Sequence, residues 1–169
     1  WSPDPRMVLP LHHFKLSKSL RLLINKGILE VRFDTCFTEV MIQCSKISRE
    51  GQQGTWITAE MIEAYSALHH EGYAHSVETF REGRLVGGLY GISLGKAFFG
   101  ESMFFHERDA SKVAFTALVD RLRQWEFQFI DAQQDTPHLR SLGATPVPRA
   151  DFLAMLNNAL QYETIRGKW

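Results

Sequence analysis

The chain has 169 residues, enough for one domain with a sizeable core and too few for two full ones. Its 19 basic and 19 acidic side chains cancel, and its 44% hydrophobic and 22% charged residues are ordinary for a globular protein. This argues against nucleic-acid binding by the whole surface and leaves a local basic patch open. No run of about eighteen apolar residues occurs and no signal peptide is visible, so a cytoplasmic protein without a membrane span is expected.

Residues 1–15 read as an extended, turn-containing lead-in. The chain opens at Trp1, not Met, and the turn-rich Trp1-Ser2-Pro3-Asp4-Pro5-Arg6 suggests that a natural N-terminal part has been removed. Ser17 is placed to cap a helix that runs to Lys26, with Gly27 as its stop. Lys15, Lys18, Arg21 and Lys26 share much of one face of that helix. Ile28 to Phe33 alternates as a strand. Asp34 or Thr35 then caps a helix carrying Phe37, Val40, Met41 and Cys44, and residues 45–54 form a polar loop. Thr58 caps a further helix with Met61, Ile62, Tyr65 and Leu68 on its apolar stripe, ending at Gly72.

Strands dominate next. Ser76 to Arg81 alternates, Glu82-Gly83 turns, Leu85 to Leu94 forms a glycine-spotted second strand, and Gly95-Lys96 turns into a third at Ala97 to Phe99. A long helix spans Ala110 to Glu126, a strand Phe127 to Ala132, and a short helix Thr136 to Leu142, stopped by Gly143. Asp151 caps a last helix. Helices, then an antiparallel meander, then helix, strand and helix make an α+β fold with a mostly antiparallel sheet. Cys36 and Cys44, with no Cys-x-x-Cys, read as reduced, mostly buried thiols, and the seven histidines show no metal spacing. Neither a metal nor another cofactor is expected.

Two segments set polar groups among apolar ones: Phe98-Phe99-Gly100-Glu101-Ser102-Met103-Phe104 and Phe129-Ile130-Asp131-Ala132-Gln133. Carboxylates in apolar strands are costly unless paired or used. The pattern predicts one cleft with two acidic walls and an apolar floor, suited to a ligand with one apolar and one cationic end. Asp131 and Gln133 lie two apart, so regular alternation turns both to one side.

The order of elements is similar to the N-acetyltransferase-like fold. In that fold a glycine-bearing turn after the meander cradles the pyrophosphate of coenzyme A. Met103 to Lys112 holds no glycine, so the fold is expected without coenzyme A binding.

More specific motifs follow one another along residues 1 to about 157. They are Trp1-Ser2-Pro3-Asp4-Pro5-Arg6, Gly54-Thr55-Trp56-Ile57-Thr58, Ala74-His75-Ser76-Val77-Glu78, Leu85-Val86-Gly87-Gly88-Leu89-Tyr90-Gly91, Phe99-Gly100-Glu101-Ser102-Met103-Phe104, Ala110-Ser111-Lys112, Ile130-Asp131-Ala132-Gln133 and Ser141-Leu142-Gly143-Ala144. In these the chain resembles the bacterial leucyl/phenylalanyl-tRNA–protein transferases. A further N-terminal segment of that family is absent, and its Asp-Cys-Gln triplet here reads Asp131-Ala132-Gln133, so the thiol is not needed for chemistry.

The resemblance implies a single catalytic domain, residues 1–169, of N-acyltransferase-like fold. It would act as a monomer, moving Leu or Phe, with Met as a further candidate donor, from aminoacyl-tRNA to the N-terminal amine of proteins beginning with Arg or Lys. That marks them for degradation by the N-end rule. The ester is already activated, so the enzyme must hold ester and amine together, keep the amine neutral and stabilise the oxyanion. By family position Asp131 holds the acceptor's cation or relays its proton. Gln133 orients the amine or donates to the oxyanion, and Glu101 positions the terminal adenosine or the basic acceptor. Leu89, Phe98, Gly100, Met103, Phe115, Leu118, Leu122 and Ile130 form the donor pocket. Trp56 stacks on the terminal adenine, and Lys15, Lys18 and Arg21 meet tRNA phosphates. The alternatives are a coenzyme A-dependent N-acyltransferase and a non-catalytic tRNA-binding fragment. A Ser102 hydrolase is weaker, since the second glycine of a nucleophile elbow is missing.

Overall fold

The computed structural model describes residues 2–47 and 55–169. Trp1, Gly54 and most of the polar loop at 45–54, all named above, lie outside the described residues. Among the described residues seven strands form one sheet in the order β2-β3-β4-β5-β6-β1-β7. They are β1 (Arg6–Pro10), β2 (Glu30–Phe33), β3 (Ala74–Arg81), β4 (Arg84–Leu94), β5 (Ala97–Phe105), β6 (Phe129–Gln133) and β7 (Thr145–Val147). The helices are α1 (Lys18–Asn25), α2 (Phe37–Lys46), α3 (Ala59–His70), α4 (Ala110–Gln124), α5 (Pro137–Ser141) and α6 (Arg149–Ala159). Neighbouring strands run antiparallel except β5 and β6, which are parallel. This is the α+β arrangement of helices on a mostly antiparallel sheet expected from the order of elements.

The central meander follows the local signals. Glu82 and Gly83 both take positive φ and close the β3–β4 turn, and Gly95 does so between β4 and β5. Gly87 admits the start of α4 against the sheet, because a Cβ there would stand 2.6 Å from that of Ala110. Ser17 and Thr58 cap α1 and α3 as expected, and Thr136, read as the first residue of its helix, caps α5; each accepts from the backbone N–H three residues on. The main core packs α4, through Ala114, Phe115, Leu118, Val119 and Leu122, onto Val77, Leu89, Phe98 and Ile130 of the sheet.

Four expectations are corrected. The lead-in is not a connector: Met7, Val8 and Leu9 of β1 are buried between β6 and β7. β7, which pairs Arg6 to Val8 with Val147 to Thr145, has no counterpart in the expected elements. Neither Asp34 nor Thr35 caps α2, whose N-cap is Cys36. Asp34 is buried and instead accepts from Ser76 N at 2.8 Å and His75 Nδ1 at 2.9 Å, while Thr35 Oγ1 donates to the buried Glu78 at 2.8 Å. Buried carboxylates must find donors, and here the β3 backbone and side chains outcompete the helix end. Asp151 lies in the first turn of α6, behind the N-cap Pro148. Neither Cys36 nor Cys44 is in a disulfide, and burial pushes the Cys36 thiol up to about 11. No helix among the described residues is long and apolar enough to cross a membrane.

Candidate active site

A cleft of about 640 Å³ opens where β5 and β6 part. The two strands pair only from Ala97 with Phe129 to Phe99 with Asp131, although β5 continues to Phe105. Beyond that point Gly100 to Met103 form one wall and Ala132 to Gln134 the other. Leu89, Phe98, Phe115, Leu118, Ile130 and Leu139 make the apolar floor, and Trp56, 38% exposed, stands at the side. The pattern of one greasy end with polar walls is therefore present.

Glu101 is aimed by a β-bulge. Tyr90 pairs with Ser102 and Gly91 with Gly100, so Glu101 is the extra residue, turned out of the ladder into the cleft. Burial raises its pKa above 4.5, opposed by a hydrogen bond from Tyr65. Burial, followed by the charge of Glu101, pushes the Tyr65 hydroxyl up to about 12. At Gly100 a Cβ would meet only Asp131 O at 3.6 Å and Ile130 Cγ2 at 3.7 Å, which is ordinary contact. The protein's own packing does not demand glycine there, and the missing side chain leaves space on the cleft wall.

Gln133 reaches the cleft by an irregularity that alternation does not contain. β1 and β6 shift register between Met7, paired with Gln133, and Val8, paired with Asp131, so Ala132 is the extra residue. Gln133 takes φ +63° and turns its amide to the Ile130 side, where Nε2 donates to Gly100 O at 3.0 Å and lies 3.5 Å from Glu101 Oε1. Asp131 is thereby separated from Gln133, correcting the expected shared face. Its carboxylate, fully buried, lies behind the sheet and borders a second pocket with Arg6, Phe99 and Phe152. The cleft has one acidic wall, Glu101, and not two. Leu122 is likewise corrected: it is buried in the main core and does not line the cleft, because it falls a full helical turn beyond Leu118.

The other candidates, Trp56, Leu89, Phe98, Gly100, Met103, Phe115, Leu118 and Ile130, all line the cleft. Lys15, Lys18 and Arg21 are exposed at α1, outside the lining. Phe14 joins them to it by packing on Phe115, with ring centroids 5.8 Å apart. Sequence reasoning missed Thr136 and His138, which line the cleft from the start of α5. Burial, then the charge of Lys112, lowers the pKa of His138. The signal available was their place immediately after the β6 motif.

The raised pKa of Glu101 predicts a pH-dependent stability. Folded Glu101 holds its proton above the pH at which unfolded Glu101 loses it, so the folded state is favoured at low pH and loses stability as pH rises through the folded pKa. Glu101→Gln is expected to melt at a higher temperature than the parent at pH 7 and at the same temperature near pH 4. Thermal melts across this range check it, and a variant less stable at pH 7 contradicts it.

The model of the leucyl/phenylalanyl-tRNA protein transferase family matches residues 8–157. The chain is 54% identical over 168 residues to the leucyl/phenylalanyl-tRNA--protein transferase of Myxococcus xanthus (strain DK1622), covering 99% of this chain and 72% of that protein. It is 52% identical over 169 residues to the enzyme of the same name from Thiobacillus denitrificans (strain ATCC 25259 / T1), covering 100% and 74%. In fold it is similar to a functionally unknown conserved protein from Staphylococcus epidermidis ATCC 12228, with TM-score 0.53, 13% identity, and coverage of 85% of this chain and 57% of that one. It is also similar to L-PGS from Bacillus licheniformis, with TM-score 0.52, 12% identity, and coverage of 98% and 58%.

Proposed function

The chain belongs to the leucyl/phenylalanyl-tRNA–protein transferase family, and from that premise we propose that it transfers Leu or Phe, with Met as a further donor, from aminoacyl-tRNA to the N-terminal amine of proteins beginning with Arg or Lys. The family makes the chain an aminoacyltransferase acting between aminoacyl-tRNA and protein. The observation that carries the finer reading is the cleft itself: an apolar floor that can take an apolar side chain, flanked by one carboxylate and one fixed amide.

In this reading the donor side chain fills the floor beside Met103, Phe115 and Leu118, and the terminal adenine stacks on Trp56. The acceptor's cationic end is drawn to Glu101. Gln133, its Nε2 held by Gly100 O, offers Oε1 to the incoming α-amine. The amine attacks the ester carbonyl, a peptide bond forms, the bond to the ribose oxygen breaks, and the amine proton ends on that oxygen. An α-amine of pKa about 8 needs little help to be neutral, so proximity and orientation carry most of the rate. The product is a protein marked for N-end-rule degradation, made by a cytoplasmic monomer whose residues 1–169 form one catalytic domain.

The test offers the chain Leu-tRNA or Phe-tRNA with a peptide beginning with Arg, and acetyl-coenzyme A with the same peptide. Aminoacyl transfer alone supports the reading. Acetylation alone supports a coenzyme A-dependent enzyme, and neither product supports a non-catalytic tRNA-binding fragment.

Binding at the tRNA terminus gives a second prediction. One base–aromatic stack is worth about 1–3 kcal/mol, so Trp56→Ala is expected to weaken both tRNA and a small aminoacyl-adenosine analogue by about 5- to 150-fold. Charge reversal at Lys18 and Arg21 is expected to weaken tRNA alone and to flatten its salt dependence. Equal loss of the small analogue on charge reversal means that α1 supports the fold or the cleft, and not a phosphate path.

A further inference from the structure

Asp131 is engaged by three donors of the protein itself. Arg6 donates from Nε to Oδ1 at 2.9 Å and from Nη2 to Oδ2 at 2.7 Å, a two-pronged pair that closes the carboxylate. Oδ1 also accepts from the backbone N–H of Gln133 at 3.1 Å. Asp131 is 0% exposed and the Arg6 side chain 14%, with the guanidinium over the Phe152 ring at 5.3 Å. The pair lies across the sheet from the cleft, yet it grips the one residue whose backbone departs from the strand to enter the cleft. A non-glycine residue at positive φ is strained and persists only where its surroundings hold it.

Resting on the reading of Gln133 as the residue that meets the acceptor amine, we infer that Arg6 is a positioning residue for the transfer: its guanidinium anchors Asp131 behind the sheet, and Asp131 in turn holds the Gln133 backbone in the conformation that places the side-chain amide in the cleft. Asp131 then serves as a clamp. Its charge balances Arg6, and the proton of the amine does not pass through it. Distance in sequence, 125 residues between the partners, is spanned because β1 lies beside β6.

A double-mutant cycle separates clamp from proton relay. Asp131→Asn keeps an oxygen for Gln133 N–H but leaves Arg6 buried without a counter-charge, and kcat is expected to fall by about 10²-fold. Adding Arg6→Met removes the stranded cation, and the double variant is expected to recover at least about tenfold over Asp131→Asn, with donor KM near the parent's throughout. A double variant no faster than Asp131→Asn overturns the inference, since a lost relay cannot be restored by a second deletion. Arg6→Lys covers the case in which Asp131→Asn does not fold. It keeps the charge and loses the fork, and should lower kcat about tenfold with an unchanged donor KM and melting temperature. Parent-like kcat in Arg6→Lys overturns the inference too. Hydrogen exchange at the Gln133 amide provides a readout independent of transfer: slow in the parent, faster in Arg6→Lys. An amide equally protected in Arg6→Lys counts against the clamp. A parent that transfers nothing while its Gln133 amide follows this pattern removes the proposed function and leaves the clamp standing.

Discussion

Gln133→Ala lowers kcat for aminoacyl transfer by about 10²–10³-fold and leaves the donor KM within a few-fold of the parent. The magnitude is that of deleting one pre-positioned hydrogen-bonding group from a water-poor site. Gln133 is held at both ends, by Asp131 at its backbone and by Gly100 O at its side chain, so the parent spends no reorganisation to present Oε1. In the proposed reading the donor side chain and adenine rest on other residues, so binding of the donor is expected to survive. Single-turnover transfer from pre-bound Phe-tRNA measures the step directly. A rate within a few-fold of the parent means that Gln133 does not meet the reacting amine. Gln133→Glu sharpens the point: it keeps the size and an acceptor oxygen, removes the donor to Gly100 O and adds a charge beside Glu101. It is therefore expected to be no better than the alanine variant.

Met103→Trp is expected to lower use of Phe more than that of Leu. Met103 lines the cleft beside Phe115 and Leu118 and is only partly buried, so a larger ring at that position extends into the space the donor side chain would take. The flexible thioether suits a pocket that accepts both a branched aliphatic and an aromatic group, and an indole does not. Overfilling a packed space costs about 1–3 kcal/mol, so transfer of Phe should fall by up to about 10²-fold, with a smaller loss for Leu. Competition between Leu-tRNA and Phe-tRNA for one acceptor peptide reads the ratio. Equal loss of both donors, or no loss, removes Met103 from the specificity wall.

Sequence alone was enough for whatever depends on neighbours along the chain. Alternation over Ser76–Arg81 and the glycine turns at Gly83 and Gly95 mark the meander, and Ser17, Thr58 and Thr136 mark three helix starts. Those signals are local hydrogen bonds and backbone preferences, legible within a few residues. The apolar floor at Phe115 and Leu118 was legible only through the family resemblance, which also placed Leu122 there, past the end of the cleft.

Tertiary structure decided which side of the sheet each polar group serves. Period-2 alternation puts Asp131 and Gln133 together, and one extra residue at Ala132 with one positive φ at Gln133 puts them apart. Nothing within β6 announces that bulge, because it exists only in register with β1, which reads by itself as a turn-rich lead-in. The placement of Arg6 follows from the same pairing. A buried carboxylate needs a partner wherever the fold can supply one, and the partner that Asp131 finds stands on a strand more than a hundred residues away in sequence.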